Sequence, residues 1–516
     1  MRITRARVVS QAFFLALFLF LVLVTQFGHL RGYPVCLFLQ VDPLVALATA
    51  ITTHAVYRGL LWALALLLPT LLLGRFFCGW ACPLGTVLQL AGWVADSRTP
   101  QARQEANRYR RLYTLKYALL AGLAGAACLG ALQIGLLDPV STLYRALAVA
   151  LLPAVDLATG WVWVRPHEHV LAWVVGLLFV LVVVASLAVP RFFCRVLCPL
   201  GACLGVLSRF SLARVERDPD RCVGCDLCLG RCEGACDPHA RVRKAECLVC
   251  LNCLDDCPQG ALSFRLLPPP EHEVTGAEAG RRRLVLAGLG GLLLAAFTRR
   301  SGDLGPNFAK EVVRPPGSLA EPAFLARCLK CDQCVRVCPT NVLQPAWLEA
   351  GIEGTWTPVL NMRLGYCELN CVLCGQVCPS GAIQPISLAQ KHGTGEFAQA
   401  GPLRLGTAFY DRGRCLPWAM DRPCVVCEEV CPTSPKAIYG REESVVRRDG
   451  ETIALKRPWV DPERCIGCGI CQHACPVRDE PAIRVTAIGE TRSRDRSLLL
   501  PAGGGKWPLP GRGDQT

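Results

Sequence analysis

Apolar residues form four long runs in the N-terminal part of the chain. The runs cover residues 12–28, 55–74, 115–136 and 170–189, and none of them has the polar face of a core helix. Each is close to the ~20 residues that a helix needs to cross the ~30 Å hydrocarbon layer of a membrane. We therefore expect residues 1–215 to form an all-α domain with four membrane spans.

Lysine and arginine residues collect on one side of these four predicted spans. The predicted outer loops, 29–54 and 137–169, carry few of them. The positive-inside rule therefore places the N-terminus, the loop between spans two and three, and the chain after span four in the cytoplasm. The basic residues behind this prediction are Arg98, Arg103, Arg108, Arg110, Arg111, Lys116, Arg191, Arg195, Arg209, Arg214 and Arg217.

The second half of this domain repeats the first. The stretch "GRFFCGWACPLG" at 74–85 returns as "PRFFCRVLCPLG" at 190–201, and an Asp-Pro pair precedes each copy, at Asp42 and Asp138. We expect a duplication in parallel orientation, with a pseudo-two-fold axis along the membrane normal. Asp before Pro favours a helix N-cap over a proton acceptor for quinol.

Each copy of the repeated motif carries a Cys-x3-Cys pair where an apolar run ends. The spacing puts both cysteines of a pair on one helical face, and the two intervening spans return both pairs to the cytoplasmic side. The four thiolates could converge on an additional iron–sulfur centre. A thiol–disulfide pair and a helix-end packing motif are the alternatives. The four cysteines are Cys78, Cys82, Cys194 and Cys198.

Residues 216–268 contain two C-x2-C-x2-C-x3-C runs, the spacing with which bacterial ferredoxins bind [4Fe–4S] clusters. Zinc sites use two separated pairs, so two runs of four favour an α+β ferredoxin-like domain with two clusters. Glu233 follows the first run where proline is usual, and Cys236 competes with Cys232 as the fourth ligand. The ligands that we favour are Cys222, Cys225, Cys228, Cys232, Cys247, Cys250, Cys253 and Cys257.

Residues 269–320 combine a proline-rich linker with a second apolar stretch. The apolar run at 284–297 is short for a bilayer and follows three arginines, Arg281, Arg282 and Arg283. This pattern is typical of a twin-arginine export signal, which would carry a domain across the membrane after its clusters are assembled. A short anchor and an amphipathic helix are the alternatives.

Residues 321–490 contain four more cysteine quartets, and we expect residues 491–516 to be a flexible tail. Every quartet ends in Cys-Pro, and the sixteen cysteines form four complete sets with none left over, which disulfides would not require. The whole chain therefore has six quartets for six [4Fe–4S] clusters. The four quartets are Cys328, Cys331, Cys334 and Cys338; Cys367, Cys371, Cys374 and Cys378; Cys415, Cys424, Cys427 and Cys431; and Cys465, Cys468, Cys471 and Cys475.

The composition fits a membrane protein with many metal-bound thiolates. Of the 516 residues, 52% are hydrophobic and 32 are cysteine, and the formal net charge is +14. A thiolate-bound [4Fe–4S] centre carries about −2, so six centres would offset about −12 of that charge. The sequence has no basic surface interleaved with aromatic residues, so we expect no nucleic-acid partner. It also has no dinucleotide, P-loop or nucleophile-elbow motif, so we expect no small-molecule catalytic site of that kind.

The chain resembles a fusion of two known families. Residues 1–268, with both FFCxxxCPLG motifs and two quartets, resemble the NapH family of membrane quinol dehydrogenases. Residues 281–490, with the arginine-led apolar segment and the Cys-Pro quartets, resemble the MauM/NapG ferredoxin family. The closest stretches are "RCLKCDQCVRVCPTNVL" and "RCIGCGICQHACP".

This resemblance implies quinol oxidation at a bacterial cytoplasmic membrane and electron transfer from the quinone pool to a periplasmic cytochrome or metalloenzyme. It implies a cytoplasmic first ferredoxin domain and a periplasmic second one. It also implies ligand sharing between the first and fourth quartets of the second domain, and between its second and third. Maturation or reductive activation of a periplasmic metalloenzyme is the alternative function.

Iron content distinguishes six clusters from seven. Six quartets require about 24 irons per chain, and a further cluster on the repeated Cys-x3-Cys pairs raises the number to about 28. Iron and acid-labile sulfide analysis of the purified protein, combined with EPR, measures it. A content near one iron per quartet would contradict cluster binding and indicate single-ion sites.

Overall fold

The computed structural model describes residues 2–94, 98–159, 167–240, 242–266, 280–301, 312–446, 450–477 and 479–492. The chain divides into two compact units, each described here by itself. The first comprises Met1–Ser301, Leu325–Arg336 and Pro379–Gly381, and the second comprises Gly302–Phe324, Val337–Cys378 and Ala382–Thr516. Most of the predicted tail and large parts of the predicted linker, 267–279 and 302–311, lie outside the described residues.

The first unit is helical up to residue 210. Short 3-10 turns lie at Arg58–Ala63, Arg111–Thr114, Ile134–Leu136 and Ser208–Phe210, and wider π turns lie at Ala146–Leu151 and Phe193–Leu197. The helices are α1 (Arg2–Val24), α2 (Leu37–Gln40), α3 (Pro43–Thr53), α4 (Leu64–Leu73), α5 (Phe76–Trp80), α6 (Pro83–Val94), α7 (Pro100–Ala106), α8 (Leu115–Cys128), α9 (Pro139–Arg145), α10 (Leu152–Thr159), α11 (Ala172–Ala188) and α12 (Pro199–Leu207).

Two helices of the described chain are long and apolar enough to cross a membrane, Thr4–Val24 and Pro139–Thr159. The first matches the first predicted run, whereas the second lies in a region that the sequence predicted as an outer loop. The second and fourth runs form the shorter helices Arg58–Leu73 and α11. The third is cut short because Gly130, at φ +78°, ends α8. Signal sequences and buried core helices pass the same length test, so the four-span arrangement stays a prediction.

The two Asp-Pro pairs begin equivalent helices, which confirms the N-cap prediction. Asp42 Oδ1 accepts hydrogen bonds from the backbone N–H groups of Leu44 (2.8 Å) and Val45 (3.2 Å) at the start of α3. Asp138 Oδ2 accepts one from Ser141 N–H at 2.7 Å at the start of α9. A proline follows each aspartate at the first helical position, where its missing N–H costs nothing.

A small α+β segment follows the helical part of the first unit. Strand β1 (Arg214–Arg217) pairs antiparallel with β2 (Leu262–Arg265), and Arg214 lies opposite Arg265. Between the strands lie two one-turn helices, α13 (Leu227–Gly230) and α14 (Asn252–Asp255). The core of this segment joins aliphatic side chains from both strands to cysteines of both quartets, so the predicted ferredoxin ligands are also core residues.

Helix α15 (Arg281–Ser301) packs closely against α8. A Cβ atom added to Gly125 of α8 would lie 2.3 Å from Gly288 O, and one added to Gly291 would lie 1.9 Å from Gly122 O. The two backbones are therefore in direct contact, which only residues without a side chain allow. The sequence did not decide whether the apolar run at 284–297 is an export signal, an anchor or an amphipathic helix. In the structure it forms a helix that packs within the first unit.

Residues 312–492 contain one-turn and two-turn helices and three antiparallel strand pairs. The pairs are β3 with β4, β5 with β8, and β6 with β7. The strands are β3 (Leu343–Pro345), β4 (Pro358–Leu360), β5 (Thr407–Tyr410), β6 (Ile438–Val446), β7 (Thr452–Val460) and β8 (Ile483–Thr486). The helices are α16 (Glu321–Leu325), α17 (Gln333–Val337), α18 (Gly351–Gly354), α19 (Leu373–Gln376), α20 (Leu388–His392), α21 (Leu416–Ala419), α22 (Val426–Glu429) and α23 (Ile470–Ala474).

A carboxylate between two guanidinium groups ties the start of the second unit to its end. Glu321 lies 2.6 Å from Nη2 of Arg314 and 2.9 Å from Nη1 of Arg492. Burial by itself would raise the pKa of Glu321, but the two arginines outweigh it and hold the pKa at about 2. The glutamate is therefore charged at neutral pH, and both termini of the unit are fixed by the same residue.

The contact between α8 and α15 makes a matched pair of glycine substitutions informative. Gly291→Ala pushes a methyl group into the α8 backbone and should destabilise the protein by about 1–3 kcal/mol. Gly290→Ala meets nothing within 4 Å and should be neutral or stabilise by up to ~1 kcal/mol, because alanine favours helix. Thermal unfolding of the full chain in detergent, followed by circular dichroism, measures both. Equal effects of the two substitutions would contradict the close packing.

Candidate metal centres

All 32 cysteines lie in described residues, and all of them are free thiols, so none forms a disulfide. In the described ranges, no group of three or more His, Cys, Asp or Glu side chains is arranged to hold a single metal ion. A zinc site draws four sulfurs to about 2.3 Å from one ion. The ligands of a four-iron cluster stand farther apart, each at its own iron, so they form an open cavity.

The duplication brings the four repeated-motif cysteines together. We call Cys78, Cys82, Cys194 and Cys198 the repeat cysteines. Cys82 interacts electrostatically with Cys78 and Cys194, Cys194 with Cys78, and Cys198 with the other three. Two pairs separated by more than a hundred residues therefore form one four-thiol group, the arrangement that one of the sequence-based alternatives requires.

The Cys-Pro-Leu-Gly end of each motif builds a helix start around a sulfur atom. Cys198 is the N-cap of α12, Pro199 takes the first helical position, and the Cys198 Sγ accepts a hydrogen bond from Gly201 N–H at 3.2 Å. Cys82 Sγ accepts the equivalent bond from Gly85 N–H at 3.4 Å, at the start of α6. A thiolate in this position is stabilised by N–H donors and by the helix dipole.

The repeat cysteines fit an iron–sulfur centre. The donor set is four thiols, the ligand type that iron–sulfur clusters require. Cys82 and Cys198 are buried, and Cys78 and Cys194 are partly buried. The N–H···S bonds of the helix starts supply the donors that a thiolate needs once it leaves water.

An arginine begins the Arg-Phe-Phe-Cys stretch of each repeat and reaches across to the other repeat. Arg191 donates from Nη1 to the backbone oxygen of Cys78 at 2.9 Å. Arg75 lies against Gly201, where an added Cβ would be 2.9 Å from Arg75 Nη2 and 3.4 Å from Cys198 Sγ. Both guanidinium groups are buried. Gly201 is therefore required by the arginine of the opposite copy, whereas at Gly85 an added Cβ would be 3.1 Å from Cys78 O and 3.4 Å from Arg191 Nη1.

Each of these arginines pairs with a glutamate beside a ferredoxin cysteine, the partly buried Glu233 or the buried Glu246. Arg191 Nη2 lies 2.7 Å from Glu233 Oε2, and Arg7 Nη1 lies 2.6 Å from Glu233 Oε1. Burial alone would raise the pKa of Glu233, but Arg191 and Arg7 reverse the effect and lower it. Glu233, which stands where a proline usually follows the last cysteine, thus pairs with Arg191 and Arg7 of the helical part.

Glu246, the residue before Cys247, forms the second of these buried pairs. Arg75 Nη1 lies 3.5 Å from Glu246 Oε2 and donates to Ala245 O at 2.7 Å. Glu246 also pairs with Lys116 and accepts a hydrogen bond from the Tyr117 hydroxyl at 2.8 Å. Sequence reasoning noted Glu233 only as a departure from Cys-Pro and missed Glu246 altogether. The available signal was the arginine repeated in front of each Phe-Phe-Cys.

Four of the eleven basic residues used to predict orientation are buried with partners, so they are not free loop charges. They are Lys116, Arg191, Arg195 and Arg214. Arg195, for example, donates to Cys232 O at 2.9 Å and to Asn107 Oδ1 at 2.7 Å. Lys116, Arg191 and Arg195 therefore bind groups of the ferredoxin segment, whereas Arg214 pairs with Glu216 inside that segment.

The first ferredoxin segment divides its eight cysteines into two sets by exchanging the fourth one. Cys222, Cys225 and Cys228 line a cavity of about 370 Å³, partly open to solvent, together with Cys257 of the other quartet. We call these four the distal set. Cys253 interacts with Cys250, Cys247 and Cys232. These four are the proximal set.

Cys236 lies in contact with two cysteines of the proximal set, Cys232 and Cys247. Its Sγ is 3.5 Å from Cys232 Sγ, and its backbone N–H donates to that sulfur at 3.4 Å. The hydrogen bond from the Cys236 thiol lowers the pKa of Cys232 to about 7, with a smaller contribution from Arg195. Cys236 is thus a donor to the ligand that the C-x3-C spacing favours.

Three cavities of about 310–360 Å³ in the second unit are each lined by four cysteines of the predicted quartets. Two of the cavities combine cysteines of the third and fourth quartets. The other combines three cysteines of the second quartet with Cys338, the last cysteine of the first. The resemblance implied that the first quartet shares ligands with the fourth and the second with the third, and this pairing is wrong. Each cavity therefore takes its four cysteines from two quartets that follow each other in the sequence. The sets are Cys338, Cys367, Cys371 and Cys374; Cys415, Cys424, Cys427 and Cys475; and Cys431, Cys465, Cys468 and Cys471.

Polar side chains are aimed at single sulfurs in the second unit. The Tyr410 hydroxyl is 2.9 Å from Cys427 Sγ, and Thr433 Oγ1 is 3.3 Å from Cys431 Sγ. The ammonium group of Lys391 lies 3.5 Å from Cys367 Sγ and also donates to two carbonyl groups of the same loop. Donors and a cation next to thiolates favour their charged, metal-binding form.

Family comparisons assign [4Fe–4S] binding to three parts of the chain. A model described as a 4Fe-4S binding domain matches residues 55–99 and 171–217, which contain the two copies of the repeated motif. A 4Fe-4S dicluster domain matches 327–382, across the first two of the four quartets in residues 321–490. A further 4Fe-4S binding domain matches 456–477.

Curated relatives are ferredoxin-type proteins. The chain is 35% identical over 177 residues to the ferredoxin-type protein NapG of Escherichia coli, covering 34% of this chain and 71% of that protein. It is 33% identical over 202 residues to the methylamine utilization ferredoxin-type protein MauM of Methylophilus methylotrophus, covering 37% and 78%.

Other relatives are covered less completely. The protein NirI of Paracoccus denitrificans is 32% identical over 204 residues, which is 38% of this chain and 26% of NirI. A relative in Methanocaldococcus jannaschii is covered over 64% of its length. The chain thus spans less than two thirds of these two proteins. No solved structure matches the chain.

The geometry around Cys232 and Cys236 predicts different outcomes for the two serine substitutions. Cys232→Ser should remove or convert one four-iron centre, because it deletes a ligand of the proximal set. Cys236→Ser should keep all centres, with at most a shifted EPR signal from the neighbouring sulfur. Iron analysis and EPR of the two full-length variants measure this. Loss of iron in Cys236→Ser with full iron in Cys232→Ser would reverse the ligand assignment.

Proposed function

Because the chain belongs to the family of [4Fe–4S] ferredoxin-type proteins that includes NapG and MauM, we propose that it oxidises quinol at a membrane and passes the electrons to a periplasmic redox partner. That the chain is an iron–sulfur electron-transfer protein follows from the family itself. The quinol donor, the membrane and the partner are the proposal.

The observation that carries the proposal is the direct contact between the segment that carries two of the repeat cysteines, Cys78 and Cys82, and the segment that carries Cys247 and Cys250 of the proximal set. A Cβ added to Gly79, the neighbour of Cys78, would lie 2.6 Å from the backbone oxygen of Leu248, the neighbour of Cys247. Trp80 Nε1 donates to Val249 O at 2.9 Å. Two four-thiol groups thus adjoin each other, in an arrangement that suits serial electron transfer and that a structural metal site would not need.

The matched family model supports a seventh cluster on the repeat cysteines. Its two matches, 55–99 and 171–217, cover one Cys-x3-Cys pair each. A [4Fe–4S] cluster bound there would supply one-electron exchange at the end of the helical domain. The chain itself brings the four thiols together, donates backbone N–H hydrogen bonds to two of them and excludes water from the site.

Exposed apolar side chains support a membrane location. On α11, Trp173, Leu177, Leu178 and Leu181 are each more than half exposed. Helices α4 and α15 present similar rows of leucine. Soluble monomers rarely expose such continuous apolar surface, whereas lipid would cover it. We propose that the four predicted runs span a bacterial cytoplasmic membrane.

Helix α15 offers a route to the periplasm for the last ferredoxin segments. With four spans, residues 216–268 lie in the cytoplasm. A fifth crossing by α15, which begins with three arginines, would bring the following residues to the other side, in keeping with the positive-inside rule. In this arrangement the segment is a retained anchor, and the domain of residues 321–490 faces a periplasmic cytochrome or metalloenzyme.

A second candidate function is maturation or reductive activation of a periplasmic metalloenzyme. The similarity to MauM, a methylamine utilization ferredoxin-type protein, favours it, because such a role also needs a reductant but no quinol turnover. The two functions differ in the electron donor and in whether electrons flow continuously.

Quinol reduction of the clusters tests the proposal. Anaerobic purified protein in lipid should show cluster EPR signals after addition of menaquinol or ubiquinol, and Cys82→Ser should remove one centre and slow the reduction of the others at least about tenfold. Cys128→Ser, at an exposed cysteine outside every set, is the matched control and should behave as the parent protein. If dithionite reduces the clusters but neither quinol does, the quinol-oxidation proposal is wrong and the maturation role becomes the better explanation.

A further inference from the structure

Arg75 and Arg191 occupy equivalent positions in the duplication, and both lie where the repeat cysteines meet the proximal set. We call this contact the cluster junction. Arg75 reaches from the first repeat toward Cys198, and Arg191 reaches from the second repeat to the backbone of Cys78. Each side chain contacts the opposite repeat, so the junction contains one guanidinium group from each half.

The same two groups also face the proximal set. Arg75 pairs with Glu246, which precedes Cys247, and Arg191 pairs with Glu233, which follows Cys232. Arg191 also interacts electrostatically with Cys250. Both arginines therefore have thiolates on two sides, those of the repeat cysteines and those of the proximal set.

Positive charge exceeds negative charge at the cluster junction. Glu246 is paired with both Arg75 and Lys116, and Glu233 is paired with both Arg7 and Arg191. Gln89 Oε1 is the neutral partner of Arg191 Nη2, at 2.6 Å. Two cations face each carboxylate, so a net charge of +2 is buried between two groups of four thiols. An ion pair made only to hold two domains together would need one cation per carboxylate.

We propose that Arg75 and Arg191 raise the reduction potentials of the two iron–sulfur centres that adjoin at the cluster junction. A buried cation beside a thiolate-bound centre favours the state with one more electron, since that state carries one more negative charge. The proposal rests on the proposed function only in requiring clusters on both sets. It does not depend on quinol as the donor.

Substitution of the glutamates should shift the reduction potentials in the opposite direction from substitution of the arginines, which a purely structural role would not predict. Removing Arg75 or Arg191 removes positive charge and should lower the potentials. Removing the charge of Glu246 or Glu233 leaves the cations uncompensated and should raise the same potentials. Damage to the packing would be expected to act in one direction for all four positions, whatever the charge that was removed.

The test is an anaerobic redox titration of the full-length protein in detergent, with dithionite as reductant and EPR as the readout. The variants are Arg75→Gln, Arg191→Gln, Glu246→Gln and Glu233→Gln. The two centres concerned are identified by their loss in Cys82→Ser and Cys247→Ser. Arg492→Gln, which removes a partly buried arginine of another ion pair, is the control and should leave both potentials unchanged.

We expect the arginine variants to shift these two centres to lower potential, the glutamate variants to shift them to higher potential, and the remaining centres to keep theirs. Shifts of the same sign in all four variants, shifts spread evenly over all centres, or unchanged potentials at full iron content would overturn the proposal. Because the test uses dithionite, failure of quinol to reduce the protein would leave this result intact.

Lysine variants keep the test decisive if a glutamine variant loses iron. Arg75→Lys and Arg191→Lys retain the charge but lose the planar fork that reaches two partners at once. We expect both to keep potentials close to those of the parent protein. A shift to lower potential in either lysine variant at full iron content would show that geometry and not charge is responsible, and would overturn the proposal.

Discussion

Thiolates that bind iron–sulfur clusters carry negative charge, and this protein has to bury them beside an apolar helical domain. Everything around the repeat cysteines follows from that constraint. Backbone N–H groups of Gly85 and Gly201 point at two sulfurs. Arginines fill the space between the two halves, and glutamates next to ferredoxin cysteines offset part of their positive charge. The cost of an unpaired buried charge explains why so many polar groups lie in this small region.

The duplication is the device by which two cysteine pairs become one site. Each half supplies a helix start capped by cysteine, an arginine that crosses to the other half and a glycine that makes room for it. None of these residues completes the site within its own half. The motif is shared by the two halves at its arginine, its cysteines and its Pro-Leu-Gly end, and it differs in the three residues between the cysteines.

Sequence pattern anticipated the local elements better than the arrangement between them. The cysteine spacing predicted the ferredoxin segments, and Asp42 and Asp138 cap helices as their Asp-Pro context indicates. Helix length was less predictable, because Gly130 ends α8 early and the chain turns into helices inside a predicted loop. Ligand sharing in the second unit was inferred wrongly, since analogy cannot tell which quartets become neighbours in space.

By itself the sequence determined the chemistry: quartets with ferredoxin spacing, a repeated cysteine pair and an apolar N-terminal half. These features are local, because spacing along the chain decides which ligands can reach one cluster and how long a helix can be. Only the tertiary structure decided that the two pairs meet, that Glu233 and Glu246 face Arg191 and Arg75, and that α15 packs on α8. Those are contacts between residues far apart in sequence, and their energies come from burial and charge pairing that no local pattern encodes.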